Sequence, residues 1–70
     1  MKVGNIRNHI EYLIKNNLDL IKIYTVYKNE YSQNPNTIKY YDSLIYESKK
    51  NIVALKYCIK CIDYVQNFGG

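Results

Sequence analysis

Pro35 is the only proline in this 70-residue chain. It stands at the midpoint, between two stretches whose apolar residues recur at helical spacing. Proline has a fixed φ and no N–H, so it suits the first position of a helix. Asn34 before it is a good N-cap, and the proline disfavours αR for that residue. The preceding helix should therefore end by about Gln33. The stretch Tyr31-Ser32-Gln33-Asn34-Pro35-Asn36-Thr37 thus predicts a sharp turn, and the chain an antiparallel helical hairpin.

The first stripe is Ile6, Ile10, Leu13, Asn17, Leu20, Tyr24, Tyr27 and Tyr31. Its steps alternate between four and three, as in a heptad seam. Ile14 and Ile21 flank it, and Lys15, Asn16, Asp19, Lys22 and Asn29 fall mostly opposite. The second stripe is Ile38, Tyr41, Ile45, Ser48, Ile52, Leu55, Ile59, Ile62 and Gln66, with Tyr40, Leu44, Val53, Cys58 and Val65 flanking. The predicted fold is all-α, a single domain over 1–70. Helix 1 runs over about 5–32, the turn over about 33–35 and helix 2 over about 35–67. Residues 1–4 read as a short leader, Asn5 as an N-cap, and Gly69 and Gly70 as an αL stop.

A chain of this size buries only roughly 60% of its unfolded surface and is marginal unless reinforced. Both stripes are wider than one seam, and Leu18, Ile23, Val26, Tyr46, Tyr57 and Tyr64 lie further round. A lone hairpin would leave much of this in water, and contiguous apolar patches usually mark association surfaces. The simplest closure is a twofold homodimer forming a four-helix bundle; the alternatives are a folded-back third segment, for which little chain is left, or a different protein completing the bundle. The residues expected at that interface are Ile14, Asn17, Ile21, Tyr24, Tyr27, Tyr31, Tyr41, Leu44 and Ser48. Asn17 and Ser48 interrupt the seams within about one turn of the same level, either fixing register or sitting at a hydrated edge. Tyrosines crowd the loop end, where a ring can be buried while its hydroxyl stays wet.

Little in the chain carries chemistry. Cys58-Ile59-Lys60-Cys61 is a C-x-x-C, half a zinc site or a redox pair. It falls deep within a predicted helix, with no strand to place it at a helix N-terminus, which argues against redox work. His9, the only histidine, falls at about the level of the cysteines and completes a weak candidate metal set of Cys58, Cys61 and His9. The simpler assignment is Cys58 as small buried filler, Cys61 at the surface and His9 on a helix flank. The serines have no nearby histidine, and the glycines are terminal, so neither a hydrolase constellation nor a phosphate loop is present. Asn5-Ile6-Arg7-Asn8-His9-Ile10 ahead of a long hairpin resembles the dimerisation hairpin of sensor histidine kinases. There a histidine precedes an asparagine by four positions. Here that position is Gly4, so the phosphoacceptor is missing and no activity carries over.

Lys49, Lys50, Lys56 and Lys60 make helix 2 a candidate nucleic-acid surface, since phosphate neutralisation needs only such charges. Against this, base readout favours arginine, and Arg7 is the only one. Ile, Lys, Asn and Tyr make up 37 of the 70 residues. All four have AT-rich codons, so the formal charge of +4 and the tyrosines also fit nucleotide bias. Neither a signal peptide nor a run of about 18 apolar residues is present, which predicts an intracellular, cytoplasmic protein with free thiols and no membrane span. The expectation is a small non-enzymatic protein–protein interaction module without cofactors, such as a phage or viral modulator of a host protein. The alternative is a small basic RNA- or DNA-binding dimer.

Overall fold

The computed structural model describes residues 3–68. These form two α-helices, α1 (Val3–Glu30) and α2 (Pro35–Phe68), packed against each other with no strand among the described residues. At 28 and 34 residues they make a rod of 55 × 15 × 14 Å. Helix α1 begins at Val3, so Asn5 lies inside the first turns and is not its N-cap. The helix also stops at Glu30, earlier than expected, leaving 31–34 as the turn. The stop assigned to Gly69 and Gly70, and the first two residues of the leader, lie outside the described residues.

The turn follows from local chemistry. Tyr31 N–H still donates to the Tyr27 carbonyl at 3.0 Å, and Asn34 N–H closes the turn onto Tyr31 at 3.1 Å. The Asn34 side-chain oxygen then accepts from the N–H groups of Asn36 and Thr37, at 3.0 and 3.3 Å. Those donors have no partner within the helix, so Asn34 caps α2 while Pro35 takes the position where a missing N–H costs nothing.

In α2 the seam runs as the spacing predicts as far as Ile62: Ile38, Tyr41, Ile45, Leu55, Ile59 and Ile62 are half-buried, and Ser48 and Ile52 are buried. Gln66, the predicted last position, is exposed. In α1 the spacing fits two series equally. Both pass through Ile10, Asn17 and Tyr24; one continues through Leu13, Leu20 and Tyr27, the other through Ile14, Ile21 and Lys28. The structure takes mainly the second: Ile14, Ile21 and Lys28 are half-buried, while Ile6, Leu20, Tyr27 and Tyr31 are exposed. Leu13 alone of the first series' own members stays half-buried among the described residues. Ion pairs accompany this phase at both ends. Lys28 Nζ reaches Asp42 Oδ1 at 2.6 Å, and Arg7 bridges Glu11, at 3.2 Å, and Asp63. The long stems of Arg7 and Lys28 cover apolar surface while their heads stay near water.

The enclosed core is very small. Among the described residues only Ser48, 5% exposed, and Ile52, 8% exposed, are buried. A compact chain of 8.3 kDa exposes about 4,600 Å². This one exposes 5664 Å². The rod therefore leaves about 1,100 Å² uncovered that a globule of equal mass would bury.

Candidate functional site

The residues expected to meet a second chain are mostly engaged within the hairpin. Ile14, Asn17, Ile21, Tyr24, Tyr41 and Leu44 are half-buried, and Ser48 is buried. The facing helix is the element available to cover them among the described residues. Tyr27 and Tyr31 are exposed beside the turn. Tyr41 is the hub of the tyrosine cluster, with ring centroids 6.1 Å from Tyr24, 5.9 Å from Tyr27 and 5.4 Å edge-on from Tyr40. Such tilted and edge-on pairs suit the ring quadrupole. They brace the loop end and leave no deep cleft there.

Asn17 meets Asn51 across the seam. Its amide donates to the Leu13 carbonyl at 2.8 Å, and its oxygen accepts from Asn51 Nδ2 at 3.4 Å. Ser48 lies deeper and is not its partner. With Leu13, Ala54 and Leu55 the two asparagines line an open hollow at the edge of the seam. Asn17 is thus half-buried and paired with an exposed group, the arrangement of a hydrated edge.

Uncovered apolar side chains lie on both helices: Tyr12, Leu18, Ile23 and Val26 are exposed on α1, and the most exposed aliphatic and aromatic positions stand on the outer side of α2. At 3.6 residues per turn, Tyr46, Val53, Tyr57 and Tyr64 fall opposite Ser48, Ile52, Leu55 and Ile59. Their exposures are 65%, 70%, 68% and 65%. A shallow, open strip of ≈ 830 Å³, walled by α2 side chains alone, runs along this side between Tyr46, Lys49, Lys50, Val53, Ala54, Tyr57 and Cys58. A second, of ≈ 450 Å³, continues it through Tyr57, Lys60, Cys61, Tyr64 and Val65. From Tyr46 to Val65 the stripe is about 30 Å long at 1.5 Å per residue. No acidic residue lines either groove among the described residues. On α1 a smaller patch gathers Lys22, Ile23, Val26 and Tyr27.

The expectation of Cys58 as buried filler is corrected here. Both cysteines are free and exposed on this outer side, because the helix turns them away from the seam that Leu55, Ile59 and Ile62 occupy. His9 is exposed on α1. Among the described residues no three His, Cys, Asp or Glu side chains gather where a metal ion could sit. The four lysines proposed for nucleic acid are all exposed; Lys49 and Lys50 line the larger groove and Lys60 the smaller. Arg7, committed to Glu11 and Asp63, lies on the other helix.

The outer stripe had a readable signal. Tyr46, Lys50, Val53, Tyr57, Lys60 and Tyr64 alternate four and three on their own, in a second phase of the same helix. No helix among the described residues is long and apolar enough to cross a membrane. No family model matches the chain, and neither a curated protein nor a solved structure matches it at a significant level.

Proposed function

We propose that this chain is a non-enzymatic protein-interaction module whose docking surface is the outer side of α2. The supporting observation is the two-sidedness of that helix: one apolar side packs on α1, and the opposite side, Tyr46 to Val65, lies open in two adjoining grooves. Tyr46, Val53, Tyr57, Tyr64 and Val65 on that side are each more than half exposed, and contiguous apolar surface of this kind marks association sites. A straight heptad-spaced stripe suits a second helix packed alongside it, as in a coiled coil. Closure by a second copy, toward a four-helix bundle, is one candidate occupant; a different protein is the other. A small modulator from a phage or virus, acting on a host protein, fits the second case.

RNA or DNA binding is the competing function, favoured by the lysines and exposed tyrosine rings, which together suit stacking along a single strand. The pairing of Arg7 with two acids removes the side chain best fitted to read bases. Affinity capture from cells of the source organism separates these. Val53→Glu with Tyr57→Glu should abolish protein capture while far-ultraviolet circular dichroism stays unchanged. Val26→Glu on α1 should leave capture intact. Capture of nucleic acid, or loss of the protein partner with Val26→Glu alone, would contradict the assignment.

A further inference from the structure

We infer that the partner seated on the outer side of α2 is an amphipathic helix of another protein, apolar along one stripe and net negative in charge. This rests on that side being the docking surface and adds the chemistry of what docks there. The first observation is charge. Lys49, Lys50 and Lys60 line the two grooves, and no acidic residue does so among the described residues. Asp63, which is close in sequence, is paired with Arg7. Lys50 and Lys60 fall within the apolar stripe and Lys49 at one edge, with Glu47 beyond the opposite edge, so the stripe is apolar with a net positive charge and a complementary surface is apolar with a net negative one.

The same charges argue against a second copy. In an antiparallel pairing centred on the stripe, Lys60 of one chain comes within a turn of Lys49 and Lys50 of the other. A parallel pairing sets each lysine beside its own counterpart. Like charges brought together without an acid between them penalise association. Along a straight stripe, small Ala54, Cys58 and Cys61 alternate with large Val53, Tyr57 and Tyr64 and offer the holes that a partner helix's knobs enter.

Two synthetic peptides of about four heptads provide the test, identical in a leucine and alanine stripe and differing only in their flanks. One carries glutamate flanks, the other lysine. Fluorescence anisotropy of labelled peptide with the full chain should show the glutamate peptide binding at least about tenfold more tightly, with affinity falling as salt rises. Lys49→Glu, Lys50→Glu and Lys60→Glu together should reverse the preference, and Val53→Glu should abolish binding of both. An oligothymidine single strand should not displace the peptide, and sedimentation should show a single chain at the same concentration. Equal binding of the two peptides, no binding, displacement by the oligonucleotide, or a dimer broken by Val53→Glu would each overturn the acidic partner. Equal binding that Val53→Glu still abolishes would leave the docking surface standing and remove only its charge preference.

Discussion

Asn34 holds the two halves of the hairpin at their joint. Its side chain satisfies two amides at the start of α2, and its position before Pro35 stops α1 from running on. Asn34→Ala should cost about 1 kcal/mol and lower the thermal midpoint by about 4–8 °C in a chain of this size. Asn36→Ala, two residues along and with an exposed side chain, should change it by less than about 0.5 kcal/mol. A drop of equal size in both would contradict the cap. This cap was legible from an Asn–Pro pair because capping depends only on neighbours in sequence. The partner of Asn17 was not. Pairing across the seam depends on register, and the structure joins Asn17 to Asn51, one turn from Ser48. The register is nonetheless encoded in the charges: Lys28 and Asp42 are equidistant from Pro35, as are Arg7 and Asp63.

Within each helix, burial is decided by phase. Ile52 and Val53 are neighbours in sequence, yet the first is buried and the second lies open in the outer groove. Ile52→Val should therefore cost about 0.5–1.5 kcal/mol by urea denaturation. Val53→Ala should stay within about 0.5 kcal/mol. A reversed order would mean that α2 is rotated. The phase of α2 was legible down to Ile62 because its seam is almost wholly aliphatic. The phase of α1 was not, because two series share Ile10, Asn17 and Tyr24, and the one with more apolar members is the one the structure mostly leaves exposed. Ion pairs between the helices accompany the observed phase, and they cannot be read from neighbours in sequence. Ile21→Ala should thus destabilise more than Leu20→Ala, by about 1 kcal/mol or more, since only the first opens a gap in the seam.

The whole molecule is a rod whose second helix is apolar on two opposite sides, with one side covered. The sequence pattern foretold an excess of apolar surface. Of the residues assigned to an outside interface, Tyr27 and Tyr31 are exposed, Ser48 is buried and the others are half-buried in the hairpin. Cys58 and Cys61 sit in the two outer grooves and are natural reporters of their cover. The most direct measurement is the rate at which a thiol reagent labels them, in the free chain and with the glutamate-flanked peptide bound. Both thiols should label in the free chain at the rate of the urea-unfolded protein, whatever the protein concentration, and slow by at least about tenfold when the peptide occupies the stripe. Slow labelling of the free chain that deepens with concentration, or labelling unchanged by bound peptide, would contradict an open docking surface on α2.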